Sequence, residues 1–357
     1  MQTELITLDQ KRKVTLTAYI QEVKGEFLYI SKRPAILILP GGGYQYCSGR
    51  EADPVAMPYL KAGYQVFILR YSVKEDAVWP NPLDDYEQAM ELIRSNDDKW
   101  HLYKDKVAVI GFSAGGHLAA CAATMAKNKP DAAILGYAVT KGEMIHQCEP
   151  TAPDVVSAVS FDTSPCFLFA TRTDQVVPIT NTIEFTQALV KYDISFESHI
   201  YAYGPHGFST GDPSVQYKDT SICSRAPHWV EDSIQWLKDM FGDFGENSMA
   251  KPACKKHVTS DYDDVLSVEC TFGYLRHYKN AEKVMTPFIA WLEEHKEEVA
   301  RHIGPATYER TCKYGIEGLY QLADSRTFLE VLSNTKLSQE DVDRIDSALQ
   351  AIPNVRK

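Results

Sequence analysis

Between residues 34 and 244 the apolar positions change rhythm again and again. Residues 34–40 (PAILILP) form a short unbroken apolar run between prolines, which predicts a strand buried on both faces. Residues 53–63 (DPVAMPYLKAG) predict a helix that ends at Gly63. The next runs repeat the pattern. YQVFILRY (64–71) reads as a strand and NPLDDYEQAMELIRSN (81–96) as an amphipathic helix. KVAVIGF (106–112) is a strand, AGGHLAACAATMAK (114–127) a helix and DAAILGYAV (131–139) a strand. PCFLFATRT (165–173), ITNTIEFTQALVKYD (179–193), ISFESHIYA (194–202) and APHWVEDSIQWLKDMF (226–241) continue as strand, helix, strand and helix. Such alternation predicts an α/β fold, a mostly parallel sheet with helices on both faces. Ahead of it, ELITLDQ (4–10) and VTLTAYIQ (14–21) alternate with period two and predict an antiparallel pair.

The rhythm stops at GDFGENSMAKPACKKH (242–257). Beyond it the pattern is helical only, in residues 279–303, 308–323 and 338–352, with Ser338 ahead of Gln339 and Glu340 as a helix start. The chain therefore divides into a first region, 1–245, and a small all-helical region, 260–357.

Composition narrows the function classes. A net charge of −11 over 357 residues argues against nucleic acid or an anionic membrane as the main partner. Apolar runs such as Ala35–Leu39 are far too short to cross a bilayer, and the first ten residues lack the basic and apolar segments of a signal peptide. Eight cysteines, none at C-x-x-C spacing, read as reduced thiols, so the expected location is the cytoplasm. The cysteines and ten histidines show no zinc spacing.

The candidate chemistry lies at VAVIGFSAGGHLAA (107–120). Gly111-Phe112-Ser113-Ala114-Gly115 fits G-x-S-x-G between a buried strand and an alanine-rich helix, the sharp turn that lifts a nucleophilic serine out of a sheet. A serine hydroxyl needs a base, and the base needs an orienting acid. Asp174 follows the strand 165–173, and His206 lies in the glycine-flanked loop after the last strand. Parallel strands share their carboxyl ends, so Ser113, Asp174 and His206 are expected at one edge of the sheet. The alternatives are a helix cap for Asp174 and a surface loop residue for His206. Pro40-Gly41-Gly42-Gly43-Tyr44 ends another strand at that edge. Its glycines let main chain approach a substrate, so the amides of Gly42 or Gly43 are expected to join that of Ala114 in an oxyanion hole.

These stretches, with LPGGGYQYCSGREADPVAMPYLKAGYQVFILRYSV (39–73), WPNPLDDYEQAMELIR (79–94), TRTDQVVPI (171–179) and YGPHGFS (203–209), resemble α/β-hydrolase fold esterases. The chain is most similar to the acetyl esterase and acetylxylan esterase-like group among the hormone-sensitive-lipase relatives. The resemblance runs from about Leu28 to Phe241. It implies a catalytic region 1–245 that hydrolyses small carboxylic esters without metal or organic cofactor. The common His of the His-Gly-Gly-Gly motif is replaced by Pro40, as on the carbohydrate-esterase side of the family. The segment 140–164 leaves little material for a lid, which favours a small or sugar-bound acyl group, so an acetylated oligosaccharide is the expected partner. A serine peptidase of prolyl-oligopeptidase type and a non-catalytic hydrolase-fold binding protein are the competing readings, and a lyase on the same fold stays open. Residues 270–285 resemble helical modules appended to carbohydrate-active enzymes. That region reads as an oligomerisation element, as a shaper of the active-site entrance, or as an accessory bundle.

Tyr44, and less so Tyr46 and Trp79, could stack on a sugar ring or bound acyl group. His117 is expected as a packed helix histidine, Asp84 and Asp85 as caps of the helix 81–96, and Cys47 as structural.

Overall fold

The computed structural model describes residues 1–27, 29–216, 221–246, 248–335 and 337–355. Leu28, where the resemblance begins, and Lys357, the end of the helical region, lie outside them. Two compact units divide the chain, Met1–Lys256 and His257–Lys357.

In the first unit a single sheet is built from β1 (Gln2–Asp9), β2 (Val14–Ile20), β3 (Arg33–Leu39), β4 (Gln65–Arg70), β5 (Leu102–Phe112), β6 (Ala132–Gly136), β7 (Cys166–Thr171) and β8 (Phe196–Tyr201). Their order is β1-β2-β4-β3-β5-β6-β7-β8. β1 pairs with β2, and β2 with β4, antiparallel; every later pairing is parallel. The helices of this unit are α1 (Asp53–Lys61), α2 (Asn81–Ser95), α3 (Ala114–Met125), α4 (Gly142–Ile145), α5 (Thr180–Lys191) and α6 (Trp229–Phe241).

Alternation along the strands sorts the core into two layers. Ala35, Leu37, Leu39, Val107, Val109, Leu135 and Leu168 face α2, α3 and α5. Ile36, Ile38, Ala108, Ile110, Ile134, Phe167 and Phe169 face α1 and α6. Both sheet faces are covered, which is why β3 is buried at all seven positions. The chain leaves β3 toward β4 on one side and returns to β5 on the other. The strand order thus reverses at β3, and the loops after β3 and β5 splay apart to leave a crevice.

Two expectations need correction. Asp84 and Asp85 do not cap α2, whose N-cap is Pro80. Asp85 lies inside the first turns with its side chain fully buried, accepts from the Ser72 amide at 2.8 Å and pairs with Arg12 at 2.8 Å. It ties the end of β4 to the β1–β2 hairpin, so its role is tertiary. In the second unit, residues 308–323 are two helices, α9 (Pro305–Tyr314) and α10 (Ile316–Ala323), because Gly315 takes φ +64° between them. Further helices there are α7 (Phe272–His277), α8 (Glu282–Ile303), α11 (Phe328–Ser333) and α12 (Gln339–Gln350). Thr271, Thr327 and Ser338 cap α7, α11 and α12 through their side chains. This unit has its own core around Phe272, Phe288, Tyr320 and Phe328.

Candidate active site

The serine sits where β5 turns into α3. Ser113 takes φ +54° and ψ −117°, a backbone that costs a non-glycine residue about 1–3 kcal/mol. The surroundings hold it there: its amide donates to the Gly136 carbonyl at 3.0 Å, and its carbonyl accepts from His117 and Val139. The flanking glycines permit the close approach. A Cβ on Gly111 would lie 2.1 Å from the Gly115 carbonyl oxygen, and one on Gly115 would lie 2.2 Å from that of Leu39. Both glycines are needed for strand–helix contact as much as for the turn.

Two loops at the same sheet edge supply the rest. His206 Nε2 lies 2.8 Å from Ser113 Oγ, and His206 Nδ1 lies 2.7 Å from Asp174 Oδ2. Because a carboxylate only accepts, Nδ1 carries the proton and Nε2 is left to accept the serine hydroxyl. The Asp174 side chain is almost fully buried, and its Oδ1 accepts from the amides of Val176 and Val177 at 2.8 and 2.9 Å. Asp174 therefore orders its own loop with one oxygen and orients the imidazole with the other. This arrangement can take the serine proton as the oxygen attacks an electrophilic carbon, and return it to a leaving group.

The loop after β3 faces the serine. Gly42 takes φ +137° and Gly43 φ +60°, and a Cβ on Gly42 would stand 2.0 Å from the Tyr46 carbonyl oxygen. The Gly41 amide is committed to Glu51 Oε2 at 2.8 Å. Among the described residues no acceptor takes the amides of Gly42, Gly43 or Ala114, which border the cleft that holds Ser113. They are the available donors for a developing oxyanion.

Tyr44 is not in the cleft, contrary to expectation. It is completely buried, and its hydroxyl donates to His117 Nδ1 at 2.8 Å. A φ of +58° swings its side chain beneath the glycine loop, against Tyr71, Trp79 and His117. His117 Nε2–H donates to the Pro153 carbonyl at 2.8 Å, and burial pushes the imidazole down to about 4, so it is a neutral packed residue. Tyr46, exposed, lines the cleft instead.

The cleft encloses about 260 Å³. Its lining includes the apolar Val139, Met144, Cys148, Val176 and Val177 and the polar Tyr46, Ser48 and Arg50. Tyr137 meets the His206 ring edge-on, and its hydroxyl donates to Glu51. Neither is among the residues expected from the sequence, because no periodicity or motif marks a lone buried carboxylate.

With this geometry in view, comparison with known proteins places the chain. It covers 98% of the α/β hydrolase enzyme MGS-M1 from a Medee basin deep-sea metagenome library at 43% identity, with a TM-score of 0.62 over 67% of this chain. The chain belongs to the α/β-hydrolase family. Within this α/β hydrolase, residues 29–144 match the BD-FAE family. The acetylxylan esterase of Xylanibacter ruminicola is 28% identical over 58% of the chain and 45% of its own length. The acetyl ester-xyloside bifunctional hydrolase of Caldicellulosiruptor lactoaceticus is 26% identical, with a TM-score of 0.58, over 66% of this chain and 96% of that one. The chain spans less than half the length of the first curated relatives it matches.

Proposed function

We propose that the chain hydrolyses short-chain carboxylic esters, with acetyl esters of a carbohydrate as the substrate class, through an acyl-enzyme on Ser113. The observation that carries this is the unbroken hydrogen-bonded line Ser113–His206–Asp174 beside amides without an acceptor. Ser113 Oγ bonds to the ester carbonyl carbon as its proton passes to His206 Nε2. The oxyanion takes hydrogen bonds from Ala114 and the Gly42–Gly43 loop. Collapse expels the alcohol, which receives that proton. Water, deprotonated by the same imidazole, then releases the acid and restores the serine.

Three features support the acetyl and carbohydrate side. The apolar residues of the cleft lining suit a small acyl group. The polar residues Tyr46, Ser48 and Arg50 in the same lining suit a hydroxylated alcohol. Relatives are named acetylxylan esterase and acetyl ester-xyloside hydrolase. A reducing compartment is part of the same proposal, on the eight cysteines without C-x-x-C spacing.

The test is p-nitrophenyl ester hydrolysis over increasing acyl length, followed by acetate release from acetylated xylo-oligosaccharides. Acetate as the best acyl group and acetate release from the sugar are expected. Cleavage of aminoacyl anilides without ester turnover would favour a peptidase, and no turnover from folded protein would favour a binding protein.

A further inference from the structure

Glu51 is a carboxylate buried to 4% exposure at the rim of the cleft, and the acyl-transfer chemistry gives it no part. It ends a short 3-10 turn, Gly49–Glu51, placed between the two loops that must cooperate. On one side, Glu51 Oε2 accepts the Gly41 amide at 2.8 Å, one residue before the glycines that offer the oxyanion donors. The fit is close: a Cβ on Gly41 would lie 2.7 Å from that oxygen. On the other side, Glu51 Oε1 accepts from the Tyr137 hydroxyl at 2.6 Å. That hydroxyl in turn accepts the Ser209 amide at 3.0 Å, in the loop that carries His206. The Tyr137 ring meets His206 edge-on at 5.0 Å between centroids. Arg50 completes the clasp, donating to the Gly207 carbonyl at 2.9 Å and the Val215 carbonyl at 2.6 Å, while Ser209 Oγ donates to the Arg50 carbonyl.

We propose that Glu51 is a positioning residue for the reaction: by accepting from the Gly41 amide and the Tyr137 hydroxyl, its carboxyl group fixes the oxyanion loop against the loop that carries His206. Tyr137 has its acceptor site filled by the Ser209 amide, so it presents its proton to Glu51. Both Glu51 oxygens thus face donors. Burial holds the Glu51 carboxyl above the usual carboxylate range, against the smaller lowering by Tyr137, Gly41, His206 and Arg50. The charged and titratable groups around the pair are Arg50, His206, Tyr137 and Tyr71 about Glu51, and Asp174 about His206. Asp174 holds the imidazole from Nδ1.

This inference rests on the acyl-enzyme reading, so the experiment reads the two separately. Amide hydrogen exchange of Gly41 and Ser209 is followed by NMR and needs no turnover, and kinetics of p-nitrophenyl acetate hydrolysis run beside it. Glu51→Gln keeps the shape but has one acceptor oxygen for the two donors, Gly41 and Tyr137. Exchange at Gly41 or Ser209 should speed up by about 10-fold or more, and kcat should fall by about 10-fold with KM nearly unchanged, because the displaced oxyanion donors act only in the transition state. Native-like exchange at both amides, or native-like kcat, overturns the proposal. Glu51→Asp keeps both oxygens and loses reach to Gly41, so it covers the case in which Glu51→Gln does not fold. Exchange at Gly41 should again speed up while kcat falls by about 10-fold. Native-like turnover in that variant overturns the positioning role. Absence of ester turnover in the native chain counts against the proposed function and leaves the exchange test standing.

Discussion

At the scale of single residues the chemistry turns on which atom accepts and which donates. Asp174 fixes the proton on Nδ1 of His206, so Asp174→Asn should leave the fold intact and present the wrong tautomer to Ser113. Turnover of p-nitrophenyl acetate should fall by roughly 10³–10⁴-fold; a loss below tenfold would mean that the imidazole is oriented by other contacts. Gly42→Ala tests the oxyanion loop. Its Cβ has no room beside the Tyr46 carbonyl and its φ suits glycine alone, so the loop must shift and misdirect a donor. A loss of about 10²–10³-fold in kcat is expected, with the serine still open to a fluorophosphonate. Residue type and spacing make Ser113, Asp174 and His206 legible in the sequence, since each lies just beyond a run that reads as a parallel strand. Tyr44 departs from its expected place for a physical reason. Its position one residue after the glycines is visible in sequence, but the positive φ that turns its ring inward is not.

Among elements, α3 couples catalysis to the core. His117 lies on its buried face and is held neutral between Tyr44 and Pro153. Its imidazole titrates near 4 in the fold and near 6.5 when unfolded, so between those values the unfolded state binds the extra proton. Stability should therefore fall as pH drops from about 6.5 to about 4, by about 3 kcal/mol from this group. Urea midpoints at pH 7 and pH 4.5 measure it, and His117→Gln should flatten the difference. An unchanged pH slope in that variant would show that His117 is not the titrating group. The element boundaries are less legible than their existence. Apolar runs announce the strands of the parallel sheet, but β5 begins at Leu102, ahead of its apolar run, because pairing with β3 extends it. In the helical unit, α7 and α11 are short and set by threonine caps, which period alone does not reveal.

For the whole molecule the two units carry separate cores: no cluster mixes residues from Met1–Lys256 with residues from His257–Lys357 among the described residues. Ser113, Asp174, His206 and the glycine loop all belong to the first. A chain ending at Lys256 should therefore fold cooperatively and keep its p-nitrophenyl acetate turnover within about threefold. Loss of the urea transition in that fragment would show that the helical unit is required for the fold. The division into a sheet region and a helical region is readable because the strand–helix rhythm stops near residue 242. What the helical region does is not, because helical period reports burial and carries no chemistry.

Covalent labelling tests the role of Ser113 most directly. Native chain and Ser113→Ala are treated with a small fluorophosphonate, and intact mass and peptide mapping are read beside acetate ester turnover. One phosphonyl group on Ser113 is expected, with turnover lost in step with labelling and neither label nor turnover in Ser113→Ala. Undiminished ester hydrolysis by Ser113→Ala, or folded native protein that takes no label, would contradict that role.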